Sequence, residues 1–181
     1  MKKLVIASAL AVAAFAASAA DFVSVDVERV TNVTTKQEST AQYIRVGKTI
    51  SGLQANLQSR TSRSQDGSGM FNSLEATAGK AMGKFTPFVG VGYDNGLNGG
   101  AGAAYTYGLV GATAGTKVGP GFALAGFKTR VNWDDANPKQ SILFATYSVP
   151  VAKNVSVNLN ASRSYLDIKE RAMGLGLSIG F

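Results

Sequence analysis

Seven charged residues, Asp26, Glu28, Arg45, Arg60, Glu75, Lys128 and Arg130, each fall on the polar side of a short stretch in which apolar and polar residues alternate. Carboxylates and cations gathered in this way can do two kinds of work. They pair across a confined space and hold it shut, or they form a ring that selects ions. Catalysis would need other groups. The chain has no Cys and no His, which removes thiolate metal sites and disulfides together with the commonest general base and metal ligand. A carboxylate-only hydrolase needs two acidic groups placed together, and only Asp26 with Glu28, or the Asp134 loop, offers that. No enzymatic activity and no cofactor is expected.

Three further motifs resolve into structural features. Gly111 to Lys117 is one residue short of a phosphate-binding loop and does not lead into a helix. Gly90-Val91-Gly92 is too short for a dinucleotide fingerprint, and small residues facing a narrow interior explain it more simply. Asp134 and Asp135 lie beside Asn137 and Pro138, where oxygen ligands suit calcium, but the pattern matches an Asx-type turn better. No metal is expected.

Composition narrows the class further. Removing Lys2 and Lys3, which belong to a targeting segment, from the 18 basic residues leaves 16 against 11 acidic ones. That surplus of five is scattered one or two per segment, without the basic stripe and interleaved aromatics of a nucleic-acid binder. No nucleic-acid partner is expected. A mean hydropathy of only +0.07 argues against a helical membrane protein and suits strands with one apolar and one polar face.

The elements that must position the charges follow from that alternation. Met1 to Ala20 reads as a secretory signal: Lys2 and Lys3, an apolar stretch from Leu4 to Ala17, then a small-residue run, with cleavage expected before Asp21. Residues 21 to 181 form one domain. Ten alternating segments follow: Phe22 to Val30, Ala41 to Lys48, Leu53 to Arg60, Met70 to Lys80, Phe85 to Tyr93, one within Gly99 to Lys117, Ala123 to Trp133, Leu143 to Val149, Val155 to Ser162 and Arg171 to Phe181. Their connectors alternate between tight and longer, polar ones, as an up-and-down barrel requires. The expected fold is all-β, a closed antiparallel transmembrane barrel of ten strands, with eight as the alternative count. Phe22, Phe85, Phe122 and Phe181 fall near one end, and Tyr93, Tyr105, Tyr107, Trp133 and Tyr165 near the other.

The last segment is the most informative. Met173, Leu175, Leu177, Ile179 and Phe181 share one parity, while Ala172, Gly174, Gly176, Ser178 and Gly180 share the other, so one face is greasy and the other nearly bare. With this ending the chain resembles the small bacterial outer-membrane β-barrel family of the OmpA/OmpX type. The resemblance implies integral residence in the outer membrane, with lipid and lipopolysaccharide around the barrel. It also implies that the terminal strand, with Phe181, Ile179 and Leu177, is the signal read by the barrel assembly machinery after delivery by periplasmic chaperones. Outer-membrane barrel enzymes depend on a His, which this chain lacks.

Task is less determined than place. The expected role is structural, a passive surface barrel with its lumen filled by paired charges. Alternatives are a narrow porin-like channel for ions or small solutes and a soluble periplasmic ligand-binding barrel, the latter disfavoured because its apolar face would turn inward. Arg163 and Arg171 fall on the lipid-facing parity at the outer rim. There they either snorkel to water or meet lipopolysaccharide phosphate, which guanidinium binds in a bidentate way.

Overall fold

The computed structural model describes residues 20–66, 69–95, 104–133 and 137–181. The expected signal segment, apart from Ala20, and the Asp134–Asp135 pair lie outside the described residues. Ten strands follow in order: β1 (Phe22–Asn32), β2 (Glu38–Ile50), β3 (Leu53–Ser64), β4 (Met70–Lys80), β5 (Phe85–Asn95), β6 (Tyr105–Val118), β7 (Gly121–Asn132), β8 (Gln140–Ala152), β9 (Val155–Leu166) and β10 (Glu170–Gly180). Each pairs antiparallel with its sequence neighbours, and β1 pairs with β10, closing the barrel. The stretch from 99 to 117 contributes one strand, so the count of ten stands.

Several strands exceed their alternating segments. β2 begins at Glu38, β3 continues to Ser64 and β9 to Leu166, because ladder hydrogen bonds continue into polar sequence where no membrane demands an apolar face. Pro87 and Pro150 lie within β5 and β8, each at a flaw in the ladder. The β4–β5 pairing stops at Gly79 and Phe88 and resumes only at an isolated Met82–Phe85 bridge, and the β8–β9 register shifts between Pro150 and Ala152. A residue without an N–H is accommodated where the ladder needs no donor.

The register sets the geometry. A single row of paired residues climbs from Met82 and Phe85 through Ala114, Ala125, Ala145, Ala161, Met173, Arg29, Thr40 and Arg63 to Met70. One circuit therefore displaces the ladder by twelve residues, from Met82 to Met70. Twelve residues at about 3.3 Å against ten strand spacings of about 4.8 Å give a strand tilt of about 40°, within the range that closes a barrel. Connectors at one end are the short turns 51–52, 81–84, 119–120 and 153–154, and those at the other are longer except 167–169. In the Ser51-Gly52 turn both residues have positive φ, the geometry that matches the twist of a tight hairpin.

The outer surface is apolar and open. Val25, Val27, Leu57, Leu74, Val89, Val91, Phe127, Leu143, Leu159, Leu175 and Leu177 are all exposed, an apolar surface of a size that water-soluble monomers rarely present. No helix among the described residues is long and apolar enough to cross a membrane; strands do so here.

Candidate functional site: the charged lumen

The seven charges expected inside all lie on inward-facing positions, and the lumen brings them together. Arg45 lies 2.5 Å from Asp26 and 4.0 Å from Glu28. Its Nε also donates to Gln58 at 2.8 Å, and the Gln58 amide donates onward to Glu75 at 3.2 Å. Glu75 pairs with Lys128 and stands 3.9 Å from Arg130. One chain of charge and amide thus links β1, β2, β3, β4 and β7. From the opposite side Asn160 and Asn158 donate to Asp26 at 2.7 and 3.4 Å, and are themselves held by Thr146 and Ser148 of β8.

The bare face of β10 has its explanation here. A Cβ on Gly176 would overlap the Asp26 carboxylate, and one on Gly174 would meet Glu28 and the β1 backbone. The glycines let the two carboxylates lie flat against β10 while pairing with Arg45 of β2, the strand on the other side of β1. Gly92 serves the same purpose for the Tyr107 ring. Had β10 carried ordinary side chains, the Asp26–Arg45 pair would have no room.

Four members of the site escape the sequence pattern. Asp94 falls in an expected surface loop but is fully buried on β5, 2.6 Å from Arg130. Glu170, also expected in a loop, begins β10 and pairs with Arg60 at 3.4 Å. Tyr107, expected among the rim aromatics, is fully buried, its hydroxyl donating to Glu75 at 3.1 Å, with the Arg130 guanidinium 4.2 Å from its ring centre. Tyr105 likewise turns inward and donates to Asp94 at 3.0 Å, and Phe22 and Phe122 share the inward parity of Asp26 and Lys128. These four aromatics belong to the lumen, while Phe85, Tyr93, Trp133 and Tyr165 remain on the outside and Phe181, largely exposed, borders the cavity at the short-turn end. The signals were parity and charge balance. Asp94 shares the parity of Gly90 and Gly92, Glu170 that of Gly174 and Gly176, and three acids facing four bases called for further acids.

With these additions, nine lumenal charges each lie within 4.0 Å of an opposite charge. They occupy the middle and the long-loop half of the barrel. At that end Val30, Ala41 and Ala172 form a buried apolar cluster packed against Tyr43, over whose ring Arg45 and Arg60 stack at 4.7 and 5.8 Å. Above it the connectors are tied together, Val33 N–H donating to Lys169 O at 2.8 Å and Lys139 N–H to Asp167 at 2.8 Å. A cavity of about 890 Å³ runs inside the barrel beside this network, lined from Lys153 and Asn154 near the short turns up to Gln140, Ser164 and Glu170 near the long loops.

The remaining candidates lie outside the lumen. Leu177 and Ile179 are exposed on the outer face, and the Phe181 N–H donates to Asp21 O at 3.0 Å, tying the last residue to the first strand. Arg163 and Arg171 stand directly opposite each other on β9 and β10, both exposed, with Arg163 5.3 Å from the Tyr165 ring. Among the described residues no group of three or more His, Cys, Asp or Glu is placed to hold a metal ion.

No protein-family model matches the chain, and no curated protein matches its sequence. Solved structures do. The β domain of the Bordetella autotransporter BrkA superposes over 88% of this chain and 98% of its own, at 12% identity and a TM-score of 0.52. The translocator domain of the autotransporter NalP from Neisseria meningitidis covers 88% of both chains at 14% identity and 0.49. Neisserial surface protein A covers 88% of this chain and 96% of its own, at 12% identity and 0.47. The likeness is one of fold, that of Gram-negative outer-membrane β-barrels.

Proposed function

We propose that the protein is an integral outer-membrane barrel with a structural, passive surface role, its lumen closed towards the cell surface by paired charges. The observation that carries this reading is the pairing itself: each of the nine lumenal charges has an opposite partner within 4.0 Å. A selective pore needs charge left over to attract ions, and five acids set against four bases leave a surplus of only one. In this reading the short turns face the periplasm and the long loops the outside. Residues 1–20 are removed as a signal peptide. Purified protein in planar bilayers should give little or no steady conductance, and Arg60→Ser or Arg130→Ser should raise leakage by breaking the internal pairs. Large, steady wild-type channels would sink the reading.

The second reading, a narrow porin-like channel, draws on the cavity of about 890 Å³ that runs beside the network. The same bilayer recording decides between them.

Two surface assignments complete the proposal. Phe181, with Ile179 and Leu177, serves as the assembly signal for the barrel assembly machinery and its chaperones. One terminal side chain contributes at most about 1.5–3 kcal/mol of burial, so deleting Phe181 should lower outer-membrane levels far more than the stability of folded barrels; normal levels would refute it. Arg163 and Arg171 face each other with like charge at the outer rim, a geometry that an anion relieves, and lipopolysaccharide phosphate is the anion at that height. Changing both to Gln should lower thermal stability more in lipopolysaccharide than in neutral detergent; equal losses would exclude the contact.

A further inference from the structure

The short-turn end of the barrel carries a one-sided charge. Among the described residues Lys48, Lys80, Lys84, Lys117 and Lys153 stand there, all exposed, against one acidic side chain, Asp21. Asp21 pairs with Lys48 at 3.2 Å, and the other four lysines make no ion pair among the described residues. Three of them lie on neighbouring strands. Lys80 ends β4, Lys84 closes the 81–84 turn before β5, and the Lys84 carbonyl accepts from the Gly115 N–H at 3.1 Å, two residues before Lys117 on β6. Uncompensated lysines at the edge of an apolar band attract anionic lipid headgroups.

A groove in the outer surface begins at these lysines. It has a volume of about 970 Å³ and crosses β6 to β10, with Lys84 lining its lower end and Met173 and Leu175 its upper end. Its floor is one row of the ladder: Ala114 pairs with Ala125, Ala125 with Ala145 and Ala145 with Ala161, before Met173 ends the row. The rows on either side are bulkier. Tyr147, Leu159 and Leu175 form the wall towards the short turns, and Phe127 and Leu143, paired and exposed, stand on the other side. The Tyr147 hydroxyl donates to Val118 O at 3.0 Å, and its ring occupies the space a Cβ on Gly121 would need, so the ring is drawn towards the short turns and away from the alanine floor.

The groove has the reach of one leaflet. From Phe85 on β5, which pairs with Ala114, to Met173 on β10 the row crosses five strand spacings. At about 4.8 Å each and a tilt of about 40° it rises about 15 Å, half of a hydrocarbon core about 30 Å thick. Two convex barrels touch along a narrow line, whereas this groove winds obliquely over five strands, a path that a flexible chain follows and a rigid neighbour does not.

We infer that the groove is a binding site for an anionic phospholipid, one acyl chain lying on the alanine row and the headgroup phosphate meeting Lys84 and Lys117. The site goes beyond the structural role proposed above. It holds whichever side of the membrane the short turns face, and the conductance of the barrel does not test it.

The test is native mass spectrometry of the full barrel released from detergent, with phosphatidylglycerol and phosphatidylcholine of identical acyl chains in competition. The wild type should retain one phosphatidylglycerol in preference to phosphatidylcholine. Lys84→Gln with Lys117→Gln should reduce that preference about tenfold. Ala145→Phe fills the floor and should abolish retention, while Val25→Phe, on the outer face of β1, should leave it unchanged. Ala125→Phe repeats the floor test should Ala145→Phe fail to show the heat-shifted gel mobility of a folded barrel. Equal retention of the two lipids by the wild type would overturn the inference, as would retention that survives filling of the floor. A lipid-free dimer that Ala145→Phe dissociates would overturn it too, by assigning the groove to a second copy of the chain.

Discussion

The two halves of the lumen are built from the same ten strands and yet solve different problems. In the outer half, Tyr107, Asp94, Arg130 and Glu75 are 0–6% exposed and bound to one another. In the half towards the short turns the inward residues carry no buried charge, and Phe22, Phe88, Phe122 and Leu124 mix with Thr, Ser and Asn around open space. The difference follows from water. Where solvent is excluded a charge must be paired, and pairing then draws the wall inward; where the mouth is open, hydroxyls and amides are hydrated and no such closure is required.

The largest break in that comparison should come from Glu75, which receives Gln58, Tyr107 and Lys128 at once. Glu75→Ala leaves Lys128 without its partner and should cost about 3–5 kcal/mol in urea unfolding of the folded barrel. Asn56→Ala, at a lining position of the short-turn half, should stay within about 0.5 kcal/mol. Equal losses would show that the two halves are not energetically distinct.

A smaller effect is expected from packing. Gly176→Ala pushes a methyl group into the Asp26 carboxylate and so weakens the Asp26–Arg45 pair, at about 1–3 kcal/mol. Gly180→Ala, whose added carbon would find its nearest neighbour, Asp21 O, at 3.8 Å, should be near neutral. If both are neutral, the carboxylate is free to move and the glycines of β10 do not hold the network in place.

The smallest effect belongs to the exposed rim at the short turns. Asp21 accepts from the Thr49 N–H at 2.6 Å and pairs with Lys48 at 3.2 Å, and the Thr49 backbone bond holds its carboxyl below the usual carboxylate value. A lowered folded value stabilises above the ordinary value of about 3.9 and is lost as the pH falls through the folded one. Asp21→Asn should therefore lower the melting temperature slightly at neutral pH and match the wild type once the medium is acidified below that folded value. A difference that persists in strong acid would place the effect elsewhere.

What the sequence alone determined was parity. A period of two sends every second side chain inward, so Asp26, Arg45, Arg60, Glu75, Lys128 and Arg130 could be assigned to the lumen, and Leu175 and Leu177 to the lipid face, one strand at a time. Ten segments with connectors of alternating length likewise followed from local pattern. Tertiary structure decided who meets whom. Asn160 reaches Asp26 across 134 positions of chain, and Arg60 finds Glu170 across 110, contacts that depend on the twelve-residue displacement accumulated around the closed barrel. Asp94 and Glu170 became lumenal because their strands extend past the apolar pattern, and Tyr107 because Gly92 on the next strand leaves room for its ring. Alternation specifies a face but not a height, and it is the height, fixed by strand tilt only once β1 pairs with β10, that brings opposite charges together.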